Sequence, residues 1–370
     1  MMLIRRKSKM GKRSIVPFGP QHPVLPEPIH LDLVLEDEKV VEAIPSVGYV
    51  HRGLESLVKK KTYQEMTYVA ERICGICSYM HGMGYCNAVE QIMNIEVPTR
   101  AKYLRTIWCE MSRLHSHLLW LGLLADAFGF EALFMHSWRL REKILDMFEA
   151  STGGRVIFSV NTVGGVLKDM PADMLKSFVE ILDDMDKELR ATTDVFLNDY
   201  TVCSRLKESG ILPPTDAIRR GAVGPMMRAS GHAIDIRKTG YEAYADIDFD
   251  VITSDTCDGY GRCEVRIGEI FQSINIIKQA VAKIPDGVIV NAPKPADKPN
   301  GEAFIRMEQP RGEAIYYVRA NGSLYLDRMR VRTPTFANIP ALSQILQGCQ
   351  YGDVPLLVLT IDPCISCTER

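Results

Sequence analysis

Four cysteines in two pairs, Cys74-Gly75-Ile76-Cys77 and Cys364-Ile365-Ser366-Cys367, stand out by type and spacing. Two intervening residues let both sulfurs of a pair reach one metal ion. Two pairs supply four thiolates, a donor set for soft or borderline metals. The pairs lie near opposite ends of the sequence, whereas a zinc ribbon keeps its pairs within about 20 residues. A shared site must therefore tie the front of the chain to its last residues. Spacing alone leaves both a structural zinc and a functional metal open. The chain has ten cysteines, and its basic first residues lack the apolar run of a secretory signal. That combination is expected of a reducing compartment, where clustered cysteines bind metal or do redox work more often than they form disulfides. Of the other cysteines, Cys109 falls near an apolar helical stripe, and Cys257 and Cys263 read as structural.

The elements that must position these pairs follow from periodicity. Ile29, Leu31, Leu33 and Leu35 alternate with His30, Asp32 and Val34, and Glu36-Asp37-Glu38 turns the chain into Val40–Ile44, a β-hairpin pattern. Residues 62–94 read as helical with a break at the first cysteine pair. Four long amphipathic helices follow: one opened by Pro98, one over 131–150, one opened by Pro171 and one after Arg262. Residues 285–301, rich in Pro, Ala and Lys, read as a surface loop. Asn321-Gly322 between 314–319 and 323–328 is a two-residue hairpin signal. The expected fold class is α+β, a helical bundle core with small β elements near both termini. Residues 1–370 are read as one domain with an N-terminal β region (1–60), a helical core (61–284), and a β region with the C-terminal metal-binding segment (285–370).

Composition narrows the function classes. Of 370 residues, 46% are hydrophobic and 24% charged, values of an ordinary globular chain. The 44 basic residues against 46 acidic ones leave no basic excess to neutralise phosphates, so nucleic acid is not an expected partner. The segment MMLIRRKSKMGKR reads as a solvated tail. No run approaches the ~18 apolar residues of a membrane span, so membrane attachment is expected only through partners.

The flanks of the pairs carry a resemblance. Glu71-Arg72-Ile73-Cys74 through His81, and Asp362-Pro363-Cys364 through Arg370, match two signatures of the NiFe-hydrogenase large subunit. His51-Arg52-Gly53-Leu54-Glu55 matches a third element. Gly19-Pro20-Gln21-His22-Pro23, Ser116–Gly122, Gly224–Gly231 and Pro310-Arg311-Gly312-Glu313 resemble the quinone-site 49 kDa subunit of respiratory complex I, a relative that lacks the four cysteines. The chain thus resembles the large, catalytic subunit of an energy-converting (group 4, Ech-type) NiFe hydrogenase, and the large-subunit fold of that family is expected.

The resemblance implies roles. Cys74 and Cys364 would be terminal nickel ligands, and Cys77 and Cys367 would bridge nickel to an iron carrying CO and cyanide. His81 would hydrogen-bond a bridging sulfur; the residues alone also allow a capping or core histidine. Heterolytic H2 cleavage needs a base near an electrophilic metal, and Glu27 matches the glutamate that accepts a proton from a terminal cysteine; its Pro26-Glu27-Pro28 setting also allows a loop carboxylate. Arg311 would stand over the open metal position and orient Asp362, and Thr335 would hydrogen-bond a cyanide. A surface salt bridge and a strand-end turn are the plainer readings of Arg311 and Thr335. Glu55 matches a magnesium ligand, but Arg370 stands where the family places a histidine, and a guanidinium has no lone pair to offer. Magnesium stays open, with Arg370 free to pair with Glu55 or another acid. His115 reads as a core histidine. His117 lies on the other helix face, and the resemblance places it toward a small-subunit interface. His22 reads as shared scaffold.

The chain has no ferredoxin-like cysteine run, so no iron–sulfur cluster of its own is expected. The resemblance implies a small subunit with a 4Fe–4S cluster, electron exchange with ferredoxin, membrane ion-translocating subunits, and a peripheral position on the cytoplasmic face. It also implies maturation factors, with a C-terminal tail either removed after Arg370 or never encoded. H2 and protons would be the substrates. The other readings are a quinone-binding complex I-like subunit, to which four cysteines are of no use, and a scaffold whose ends a structural zinc clamps.

Overall fold

The computed structural model describes residues 13–294 and 296–370. The basic segment read as a tail lies outside the described residues, except Arg13, which opens the first strand.

Alternation builds the N-terminal sheet. Strands β1 (Arg13–Phe18), β2 (His30–Glu36) and β3 (Lys39–Ser46) pair antiparallel in the order β1-β2-β3. Leu31, Leu33 and Leu35 of β2 are buried. Asp37 and Glu38 both take positive φ, 51° and 66°, the geometry of a tight two-residue hairpin turn. The expected hairpin is present, with β1 added on its outer side. Arg13-Ser14-Ile15 is too polar and exposed to signal a strand, and β1 is specified by its pairing to β2.

The helical core follows. Helix α1 (Glu65–Glu71) ends before the first cysteine pair, and α2 (Ser78–Met93) starts right after it. Then come α3 (Thr99–Ala127), α4 (Glu131–Thr152), a two-strand ribbon of β4 (Asn161–Thr162) and β5 (Gly165–Val166), and α5 (Ala172–Asn198). Pro98 and Pro171 sit just before their helices, in extended backbone. Short helices α6 (Tyr200–Leu206), α7 (Pro214–Arg219) and α8 (Pro225–Arg228) lead to α9 (Gly259–Lys283), where Asp258 caps the N-terminus by accepting from the Gly261 amide at 2.8 Å. Helix α3 is buried on nearly every face, because α2, α4 and α9 all pack on it. This corrects the expectation for His117: it is fully buried and faces no surface for a partner.

The C-terminal β region holds three strands where two were expected. Strands β6 (Asn300–Gln309), β7 (Gly312–Asn321) and β8 (Leu326–Arg332) form an antiparallel sheet. Asn321 stays paired with Asn300 of β6, so the β7–β8 connection is four residues long with a bulge at Arg319/Ala320, not a two-residue turn. The surface loop gives way to β6 at Asn300. Helices α10 (Pro334–Ile345), α11 (Val354–Thr360) and α12 (Ile365–Glu369) finish the chain. The end of the chain is tied to its start: the Val40 amide donates to Cys349 O at 2.9 Å, and the Gly348 amide to Val40 O at 2.7 Å.

Two contacts aim this frame at the cysteines. Trp120 Nε1 on α3 donates to Leu359 O (3.0 Å), and Arg266 Nη1 on α9 donates to Thr360 O (2.6 Å), which fixes α11 and so the entry to Asp362. The β6–β7 hairpin turns on Pro310-Arg311, and Gly312 lies against Gly224, whose amide a Cβ at 312 would approach to 2.7 Å. Both glycines take positive φ, 127° and 65°. Gly312→Ala is therefore expected to lower stability by about 1–3 kcal/mol through strain and backbone displacement. Gly352→Ala, with nothing within 4 Å, should leave it unchanged. Denaturant melts of the two variants check this.

Candidate metal centre

The first cysteine pair occupies the turn between α1 and α2, and Cys77 is the N-cap residue of α2. The second brackets the start of α12, with Cys364 at its N-cap. All four sulfurs are buried and lie within 4.8 Å of one another, a cluster drawn from both ends of the chain. Cys74 and Cys364 Sγ are 3.2 Å apart, and Cys74–Cys77 and Cys367–Cys77 are each 3.8 Å apart. Metal–thiolate bonds of about 2.3 Å place the sulfurs of a tetrahedral set about 3.8 Å apart, so this spacing suits a shared metal. Contact with Cys364 foremost, then with Cys367 and Cys77, pushes the Cys74 thiol well below its ordinary value, while burial pushes Cys367 well above. Four buried thiols so close cannot all ionise without a cation among them.

The other residues singled out in the sequence converge here. His81, one turn into α2, is fully buried; its Nε2 lies 3.2 Å from Cys367 Sγ, and its Nδ1 meets the Tyr316 hydroxyl. Burial pushes the imidazole down to about 4, so it is neutral at pH 7. The tautomer in which Tyr316 donates to Nδ1 leaves Nε2–H to the sulfur. Arg311 donates from Nε to Asp362 O (2.7 Å), from Nη2 to Asp362 Oδ1 (2.8 Å), from Nη1 to Ser116 Oγ (3.1 Å), and from Nη1 to Cys77 Sγ (3.5 Å). Burial opposes its charge, but Asp362 and the cysteines outweigh that and raise its pKa further. The second carboxylate oxygen of Asp362 is buried with no protein partner. Asp362 takes φ 55°, a left-handed conformation that Asp tolerates. Thr335, in the first turn of α10, accepts from the Cys364 amide at 3.1 Å.

Glu27 is half-buried and caps α12: its carboxylate accepts from the amides of Ile365 and Ser366, the latter at 3.1 Å, and from the Ser366 hydroxyl. It therefore touches the residues next to Cys364, and its contacts are with the backbone and Ser366. Glu55 Oε1 accepts from the Val331 amide (2.9 Å) and from Arg370 Nε (2.9 Å), and its Oε2 from Arg330 Nη1 (2.8 Å). Two guanidiniums and an amide take up the carboxylate, so these residues do not fit a magnesium ion.

His117 Nε2 lies 2.9 Å from Glu269 Oε2, and His115 Nδ1 accepts from Arg141 at 2.9 Å, as expected of a core histidine. Sequence reasoning did not single out Ser116, Tyr316, Arg52 or Glu369. Ser116 and Arg52 sit inside segments already notable, beside more conspicuous residues. Tyr316 carried no signal beyond alternation, which buries it and leaves Tyr317 beside it half-buried.

Residues 127–297 and 292–370 match the family described as the respiratory-chain NADH dehydrogenase 49 Kd subunit, and residues 52–126 match nickel-dependent hydrogenase. The chain is 38% identical to the carbon monoxide-induced hydrogenase of Rhodospirillum rubrum, over 96% of this chain and 99% of that one. It is 36% identical to the membrane-bound hydrogenase subunit alpha of Pyrococcus furiosus, over 96% and 87%. A chain in the structure of the membrane-bound sulfane sulfur reductase, an archaeal respiratory membrane complex, superposes with a TM-score of 0.92 at 30% identity, covering 99% of this chain and 100% of that one. The chain belongs to the family that unites the large subunits of energy-converting hydrogenases with the 49 kDa subunit of complex I. No helix among the described residues is long and apolar enough to cross a membrane.

A pH effect follows from Glu71, the last residue of α1, three positions before Cys74. Burial pushes its carboxyl up to about 7, against the Ser159 amide that donates to it at 2.8 Å. Its contribution to stability is fully present below the unfolded value near 4.5 and is lost as pH rises through about 7. Glu71→Gln should therefore be more stable than the parent at pH 8, by on the order of 3 kcal/mol, and similar to it at pH 4.5. Melts at the two pH values check the sign.

Proposed function

We propose that this chain is the catalytic subunit of a membrane-associated, energy-converting NiFe hydrogenase that interconverts H2 with protons and electrons. The observation that carries this reading is the buried four-sulfur cluster, touched by a guanidinium at Cys77 and an imidazole at Cys367. A structural zinc needs only the four sulfurs. It has no use for a buried Arg311–Asp362 pair and a neutral histidine aimed at the same atoms.

The donor set fits a Ni–Fe centre. Cys74, Cys77, Cys364 and Cys367 are proposed as the four thiolates that would hold the nickel, with Cys77 and Cys367 also available to the iron. When bound, the centre would supply the electrophile at which H2 is cleaved. The chain's own residues do the rest. Arg311 holds a fixed positive charge beside Cys77 and orients the Asp362 carboxylate. His81 donates to Cys367 and tunes that sulfur's basicity. Thr335 anchors the Cys364 amide and offers its hydroxyl to a diatomic ligand. Glu27 takes the proton leaving Cys364 and passes it outward from its half-buried position at α12. Electrons leave through a partner, proposed as a small subunit with a 4Fe–4S cluster exchanging with ferredoxin. Membrane ion-translocating subunits complete the assembly on the cytoplasmic face.

Two substitutions test this. Cys367→Ser should cut bound nickel and iron at least about tenfold by elemental analysis, whereas Cys203→Ser, outside the cluster, should not. Glu27→Gln should retain nickel yet slow H2/D+ isotope exchange by about a hundredfold. Full exchange with glutamine at position 27 would remove it from the proton path.

A further inference from the structure

Residues 48–55 reach across to the C-terminal segment and bind it through five of their residues. Arg52 Nη2 donates to Ile73 O at 2.8 Å and to Ser366 O at 2.9 Å, and Nη1 donates to Arg72 O at 3.1 Å. Ile73 and Ser366 immediately precede Cys74 and Cys367, so one guanidinium bridges the two cysteine motifs. The Glu369 carboxylate accepts from the Gly48 amide (2.6 Å) and the Val50 amide (2.5 Å), and His51 Nδ1 meets Glu369 O at 2.6 Å. Glu55 then holds Arg370, whose Nη1 donates back to Thr368 O at 2.8 Å.

The Glu55 end resembles a cation site in which the cation is a side chain. Burial alone would raise the Glu55 carboxyl, but the Val331 amide and the Arg370 and Arg330 guanidiniums together hold it below its ordinary value. The adjoining cavity of about 510 Å³ is lined by Arg319, Arg328, Arg330 and Arg370 against Glu55 and Asp327. That balance repels a divalent ion, which would also need several oxygen ligands.

We propose that Arg52, Glu55 and Arg370 form a metal-free clasp that sets the separation of the two cysteine pairs, with the Arg370 guanidinium in the place a divalent cation would occupy. All three are positioning residues: they act on the centre through the backbone that carries Cys74 and Cys367. The clasp deepens the reading of the four cysteines as a metal centre, but its geometry stands without that reading.

The test uses the purified complex and reads hydrogen exchange of the 364–370 amides by mass spectrometry, with magnesium and nickel content on the same samples. In the parent protein, EDTA should leave exchange unchanged while nickel stays bound, and no stoichiometric magnesium should be found. Arg370→Ala should speed exchange of the segment at least about tenfold and lower nickel content. Arg370→His should restore protection when magnesium is added and lose it again with EDTA, a rescue that a merely structural contact would not give. The proposal is overturned by EDTA-sensitive protection in the parent, by one magnesium per chain that Glu55→Gln releases, by Arg370→Ala exchanging within twofold of the parent, or by Arg370→His responding to neither reagent. The chelator arm needs no variant and holds if a substitution prevents folding. A parent complex without nickel defeats the hydrogenase reading alone, because the exchange arms do not depend on it.

Discussion

Four buried thiolates cannot share a space a few ångströms wide without a cation among them and a rigid frame around them, and most of this structure answers that constraint. The sulfurs come from a turn between two helices near the front of the chain and from the last short helix at its end. No local propensity brings them together. The N-terminal sheet pairs its Val40 with the chain near Cys349, α3 and α9 fix α11 by bonds to Leu359 and Thr360, and Glu27 and Thr335 hold the amides at the start of α12. Each of these is a contact between residues distant in sequence, and together they set positions that neither CxxC motif could set alone.

The electrostatics follow the same logic. Arg311 is buried beside the cysteines with its charge kept by Asp362. It is presented by the tip of a β-hairpin, where a side chain is held by backbone pairing and not by a flexible loop. Deeper in the core, charged groups are matched to each other: Arg228 bonds both Glu269 and Glu308, and Arg237 meets Asp235 and Glu110. Arg113 donates to the carbonyls of Glu308 and Gln309, which ties α3 to the strand that leads into Arg311. The buried charges thus lie on the elements that aim the site.

The cysteine pairs, the long helices and the first hairpin were legible in the sequence because each is a local pattern: a spacing, an apolar stripe, an alternation. The residues Glu27, His81, Arg311, Thr335 and Asp362 were found through their motifs, and the fold brings all five to the cluster or to the residues beside it. What was not legible depends on tertiary partners. Strand β1 is defined by β2, and β6 by β7, with little patterning of their own. His117 looked outward on a helical wheel, but α3 is enclosed by neighbours on both sides. Tyr316, Arg52 and Glu369 gain their meaning from what they touch across the chain. At Glu55 the departure from the family pattern, Arg370 for histidine, was readable, and the ion pair between them is its structural consequence.

The central claim is that the four cysteines hold a Ni–Fe centre. The most direct measurement is an infrared spectrum of the purified complex in the window where metal-bound CO and cyanide stretch, paired with elemental analysis. Sharp bands there and about one nickel per chain are expected if the four cysteines hold that centre. A featureless window with about one zinc per chain would contradict the claim and leave a structural clamp.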